Sequence, residues 1–217
     1  MSNTQSKPTA EEPSPTVFIV DDDDMVRRSL ARVLRAAGYP VETFSSAREL
    51  LTRSRAELSG CIVLDLQMPD LDGLQAQETF SSDGLTLPVI FLSGHGDVRS
   101  SVKAIKAGAI DFLVKPADAR ELMHAIDAAI AHDRISRNEQ QENSALRASY
   151  RSLTPREREV CTWVSAGLLN KQIADRLGTS EKTVKVHRGQ VMRKLGIHSV
   201  AELVRIADRL GLHAATD

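Results

Sequence analysis

The chain has 217 residues, with 28 Lys+Arg against 29 Asp+Glu and 41% hydrophobic residues, enough for one large domain or two small ones and too apolar for a disordered chain. No apolar run approaches the ~20 residues of a membrane span, and the opening MSNTQSKPTAEEPSPT lacks an apolar signal core. Cys61 and Cys161 are too few for a disulfide framework or a zinc site, so a soluble cytoplasmic protein is expected. The near-zero charge hides an asymmetry: from Tyr150 onward there are 12 Lys+Arg and 7 Asp+Glu, against 16 and 22 before it. An acidic first part and a basic last part point to two domains with different partners.

Residues 1–15, rich in Ser, Thr, Pro and Glu, read as a disordered tail. Short apolar runs then read as buried strands: Val17–Val20, Val41–Phe44, Cys61–Leu64, Val89–Leu92 and Phe112–Val114. Helical stretches lie between them. In the first, Val26, Leu30, Val33, Leu34 and Ala37 share one face before Gly38 ends it, and Gly108 ends the stretch from Asp97 to Ala107. Alternation of this kind predicts an α/β fold, a doubly wound five-stranded parallel sheet over 16–130. From Ala119 to about Ser149 the pattern is helical, its second half polar, which reads as the last sheet-domain helix running into a linker over 131–150. That linker is a helical spacer or a flexible coil.

Beyond Leu153 the strand pattern stops. Thr154-Pro155-Arg156-Glu157 is a helix start, and Gly167, Gly178, Gly196 and Gly211 punctuate four short helices, the third capped at Ser180. A small all-α domain over 151–217 follows.

The acids stand at strand ends: Asp21 and Asp22 after the first strand, Asp65 after the third. Ser93 ends the fourth strand and Lys115 follows the fifth. In a parallel sheet all five converge on one edge. Carboxylates so close repel one another unless a hard, oxygen-seeking ion such as Mg²⁺ joins them, and a nearby lysine and hydroxyl suit a phosphoryl group. In the basic part, Lys171–His187 reads as two helices about a Gly-containing turn. The second, Glu181–Leu195, sends Val184, Val191 and Leu195 inward and Lys182, Lys185, Arg188 and Gly189 outward, as a major-groove helix would.

Four segments in order, Phe18-Ile19-Val20-Asp21-Asp22, Leu64-Asp65-Leu66-Gln67-Met68-Pro69-Asp70-Leu71-Asp72-Gly73, Ser93-Gly94-His95-Gly96 and Asp111-Phe112-Leu113-Val114-Lys115-Pro116, resemble a two-component receiver domain of flavodoxin-like fold. Leu153–Leu212 resembles the LuxR-type helix-turn-helix, and the pair resembles a response regulator of the NarL/FixJ family. The resemblance implies that Asp65 takes a phosphoryl group from a sensor histidine kinase. It implies that Asp22, Asp65 and the Gln67 carbonyl hold Mg²⁺, with Asp21 acting through water. Lys115, aimed by a cis bond to Pro116, and Ser93 would bind the phosphoryl oxygens, and Ser93 and Phe112 would be the switch. It further implies a homodimer formed on phosphorylation and binding of promoter DNA, with RNA polymerase a further candidate partner. Lys185, Val186 and Gly189 occupy the usual base-reading face; Lys171, Lys182, Thr183 and Lys194 are phosphate contacts, with Arg188 also on the DNA side. Gly189 departs from relatives that carry a long basic residue there.

Bland readings stand beside these. Acidic runs such as Asp21–Asp24 are usually solvated turns, with Asp23 or Asp24 a helix cap. Phe112 is core or switch, His95 is an ungrouped loop histidine, and Cys61 and Cys161 are small buried apolar residues. Two rival functions remain: a Mg²⁺-dependent phosphatase-like enzyme with Asp21 as nucleophile, and a receiver acting through protein contacts alone.

Overall fold

The computed structural model describes residues 14–54, 58–69, 71–94 and 98–212. The predicted tail lies outside them except for Ser14 and Pro15, and so does His95. The chain divides into two compact units, 1–136 and 137–217.

The first unit is built on five strands, β1 (Thr16–Val20), β2 (Val41–Phe44), β3 (Gly60–Asp65), β4 (Val89–Ser93) and β5 (Asp111–Val114), all parallel in the order β2-β1-β3-β4-β5. All five apolar runs therefore lie in strands. β3 at the centre is buried along its whole length, since helices cover both faces. Its alternation assigns residues to two cores. Ile62 and Leu64 join Phe18, Phe91 and Phe80 on the side of α2 (Ala47–Leu51), α3 (Gly73–Ser82) and α4 (Val98–Lys106). Cys61 and Val63 join Ile19, Leu34, Leu122 and Ile126 on the side of α1 (Asp24–Ala36) and α5 (Ala119–Arg151).

Helix α1 begins where Asp23 accepts hydrogen bonds from the Met25 and Val26 amides at 2.8 and 3.2 Å, so this acid is a cap. Its buried residues are Ala31 and Leu34, while Val33 and Ala37, expected inward, are exposed. The inward stripe is narrower than the apolar pattern suggested because small Ala31 packs against the sheet.

Helix α5 is continuous over 33 residues, so the polar stretch is a helix and not a coil. The sheet unit holds it as far as Asp133, which is 4% exposed and accepts from the Gly60 amide at 2.9 Å and the Ser59 hydroxyl at 3.2 Å.

In the second unit, α6 (Pro155–Ser165), α7 (Asn170–Leu177), α8 (Glu181–Leu195) and α9 (Val200–Leu210) enclose a core of Val160, Val164, Ile173, Val184, Val191 and Leu203. Thr154 and Glu157 form a reciprocal capping box at α6. Gly178 and Gly196 close α7 and α8 in the left-handed conformation, at φ 60° and 66°. Among the described residues no helix is long and apolar enough to cross a membrane.

Candidate functional site

The order β2-β1-β3 makes the gap between β1 and β3 the point where the chain reverses its direction of winding, and side chains at these strand ends face a common crevice. Asp21 directly follows β1 and is 2% exposed; Asp65 ends β3 and is 6% exposed; Ser93 ends β4 and is fully buried. Lys115 follows β5, its amide donating to the Ser93 carbonyl at 2.7 Å, and its peptide bond to Pro116 is cis, as expected.

The Lys115 ammonium bridges the two buried acids, with Nζ 2.6 Å from Asp21 Oδ2 and 2.8 Å from Asp65 Oδ1. The other Asp21 oxygen accepts from the Asp23 amide at 2.9 Å. Exposed Asp22 completes the cluster: one carboxylate oxygen from each of Asp21, Asp22 and Asp65 lies within 4.8 Å of the others. Burial pushes the Asp65 carboxyl above its usual range; Lys115 opposes this, and the charges of Asp21 and Asp22 add to it. Burial draws the Lys115 ammonium down, but its hydrogen bonds to Asp21 and Asp65 outweigh this and hold it above its ordinary value.

Three carboxylates against one ammonium leave the pocket with a formal charge of −2, and its donors are all hard oxygens. This set fits a small divalent cation such as Mg²⁺. The structure thus brings together Asp21, Asp22, Asp65, Ser93 and Lys115. Phe112, half-buried on β5, packs against the core on the α3 and α4 side, and Gln67 is exposed in the loop after β3.

Two supports of this pocket escaped sequence reasoning. The Arg27 guanidinium donates to the Asp21 carbonyl at 2.6 Å, fixing the loop that carries both acids. Gly73 opens α3 so close to β3 that a Cβ there would lie 2.6 Å from the Asp65 carbonyl oxygen. Its motif was visible, but the contact that requires glycine is not.

The second candidate face is α8. Lys182, Lys185 and Gly189 are exposed, Val186 is 56% exposed, and Lys171 is exposed on α7. Thr183 is half-buried, its amide donating to the capping Ser180 hydroxyl at 3.2 Å. Arg188, expected outward, stands one turn from buried Val184, is half-buried, and donates to Asn170 at 3.1 Å. The Lys194 ammonium binds Glu157 at 2.7 Å and the Ser152 carbonyl at 3.3 Å, joining helices within the domain. The missed signal for Lys194 was buried Glu157, whose charge at the third helical position needs a cation.

Comparison with known proteins yields two family models. The response regulator receiver domain matches residues 17–127, and the luxR family of bacterial regulatory proteins matches 151–207. Nodulation protein W of Bradyrhizobium diazoefficiens is 42% identical over 198 residues, spanning 91% of this chain and 87% of its own. Response regulator protein TodT of Pseudomonas putida is 44% identical over 194 residues, spanning 89% and 86%. The solved structure of response regulator StyR shares 43% identity with a TM-score of 0.78, covering 90% of this chain and 99% of that one.

Proposed function

Because the chain belongs to the NarL/FixJ family of response regulators and so regulates transcription under phosphorylation control, we propose that its switch is Asp65, phosphorylated by a sensor histidine kinase. The observation that carries this is the Lys115 ammonium held 2.8 Å from Asp65 Oδ1 and 2.6 Å from Asp21 Oδ2 in a pocket of three carboxylates. An Asp65 oxygen attacks the phosphorus of a phosphohistidine; the P–N bond breaks, the imidazole leaves, and an acyl phosphate forms. Asp22, Asp65 and the Gln67 carbonyl would hold Mg²⁺, with Asp21 acting through water. When bound, the ion supplies charge neutralisation for the phosphoryl oxygens. Lys115 exchanges its carboxylate bond for a phosphoryl oxygen, and the Ser93 hydroxyl turns to another.

The new charge draws Ser93 and Phe112 inward and reshapes the neighbouring face of α4 and β5. There Val98, Val102 and Ile105 stand at successive turns of α4, 76%, 45% and 48% exposed, with Val114 of β5 47% exposed. Such an apolar strip supports a homodimer formed on phosphorylation. Two α8 helices then meet paired half-sites of promoter DNA, with RNA polymerase a further partner, in the cytoplasm. The receiver occupies 16–130, the helical linker 131–150 and the DNA-binding domain 151–217.

Intact mass after incubation with acetyl phosphate and Mg²⁺, with sizing of the same samples, tests the reading. A phosphate adduct on the wild type, absent from Asp65→Asn and accompanied by a shift to dimer, is expected. An adduct on Asp21 would instead favour a phosphatase-like enzyme, and dimerisation without duplex binding a receiver acting through protein contacts.

A further inference from the structure

Position 189 breaks a rule that the rest of α8 keeps. The helix runs for 15 residues between a Ser180 cap and a Gly196 cap, yet its ninth residue is glycine, the poorest helix former except proline. Glycine inside a helix usually answers a close contact or an unusual backbone angle. Here neither exists: a Cβ at 189 would meet nothing within 4 Å, and Gly189 is not among the positive-φ glycines. The folded chain itself gives no reason for this glycine, so the reason lies in what approaches that face.

The surroundings of Gly189 say what that is. Val186, one turn earlier, is an apolar residue left 56% exposed, and exposed Lys182, Lys185 and Arg193 surround the pair on the same outward face. A bare apolar strip inside a ring of cations complements a groove whose walls are anionic and whose floor carries an apolar group. Duplex DNA has such a groove, and the thymine 5-methyl is the one apolar group that the four standard bases present on its floor. We infer that Gly189 is a clearance residue: its missing side chain lets the α8 backbone approach the floor of the major groove, where Val186 and the Gly189 Cα pack against a thymine methyl. This specificity contact rests on the proposed DNA-binding role of the second domain.

The test uses the full-length chain treated with acetyl phosphate and Mg²⁺. Wild-type protein first selects its preferred duplexes from a random pool. A fixed T·A pair in each half-site is expected, and replacing that thymine by deoxyuridine, which removes only the methyl, weakens binding about fourfold. Val186→Ala binds the two duplexes equally. Gly189→Ala separates folding from recognition, because the new methyl favours the helix but blocks the approach. Its melting temperature rises by a few degrees while its affinity for the selected duplex falls about tenfold. Undiminished affinity of Gly189→Ala, a lower melting temperature for it, or indifference of the wild type to deoxyuridine would each overturn the inference. A wild type that enriches no sequence at all would overturn the DNA-binding reading beneath it, which a recovered but methyl-insensitive consensus would not.

Discussion

Glu157 Oε2 and Lys194 Nζ lie 2.7 Å apart, joining the first turn of α6 to the last turn of α8. The Lys194 hydrogen bond, with the Thr154 amide behind it, holds the Glu157 carboxyl below its ordinary value of 4.5 although burial opposes this. A carboxyl depressed by folding stabilises the fold above its unfolded value and loses that contribution as pH falls through the folded one. The helical domain should therefore weaken on acidification below pH 4.5. Glu157→Gln keeps an acceptor for the Thr154 amide and loses the charge. It should cost about 1–2 kcal/mol at neutral pH and flatten the acid limb. Trp163, the chain's single tryptophan, packs on the same core, so its fluorescence through urea titrations at several pH values reads this domain.

How much was legible in the sequence follows from the range of the interactions involved. Strands apolar on both faces, such as Cys61–Leu64, declare a covered parallel sheet, and once the sheet is parallel Asp21, Asp65 and Lys115 must share an edge. Caps are equally local, so Thr154, Ser180 and the glycines after the helices were readable. What was not readable depends on partners far away in sequence. Asp133 looks like one more polar residue of a linker until Ser59 and Gly60 are placed beside it. Lys194 looks like a free cation until Glu157 arrives from α6, and Arg188 like an outward one until Asn170 takes its guanidinium. Charge pattern alone does not tell which cations the fold itself pairs.

Lys115 neutralises two buried carboxylates, so its removal has a structural consequence as well as a chemical one. Lys115→Ala should lower stability in EDTA by about 2–3 kcal/mol, since Asp21 and Asp65 are left buried without their cation. Added Mg²⁺ should restore much of this, because a divalent ion bound only to the folded pocket stabilises by mass action. Calorimetry of both proteins with and without Mg²⁺ checks it. An equal Mg²⁺ response in wild type and variant would argue against cation exchange in the pocket.

Asp133 fastens the start of β3 to α5 through the Gly60 amide at 2.9 Å and the Ser59 hydroxyl at 3.2 Å. Asp133→Ala strips an acceptor from a buried amide, at an expected cost of about 2 kcal/mol in urea unfolding. Hydrogen exchange should accelerate first at Gly60, with the phosphoryl pocket at the opposite ends of the strands still able to form its adduct.

The apolar strip of α4 is exposed in the single chain, so charging it should spare folding. Ile105→Glu, at a residue 48% exposed, is expected to leave the melting temperature within about a degree and the phosphate adduct intact, while sizing shows a monomer in acetyl phosphate. A phosphorylated variant that still dimerises would place the dimer face elsewhere.

 Lys185 and Lys194 lie nine positions apart on α8, and occupancy separates them: Lys185 is exposed, while Lys194 is held by Glu157 and the Ser152 carbonyl. The Lys185 ammonium is therefore available to a phosphate, and Lys194 is committed to the fold. Lys185→Ala should lower the slope of log affinity against log salt by about 1 and leave the urea midpoint of the helical domain unchanged. Lys194→Ala should lower that midpoint by about 1–2 kcal/mol, because buried Glu157 loses its cation, and leave the salt slope of the folded protein as it was. Fluorescence anisotropy of a labelled duplex across a salt series, paired with Trp163 unfolding curves, measures both quantities on the same samples. A reduced salt slope for Lys194→Ala would mean that its ammonium leaves Glu157 for a phosphate when DNA binds.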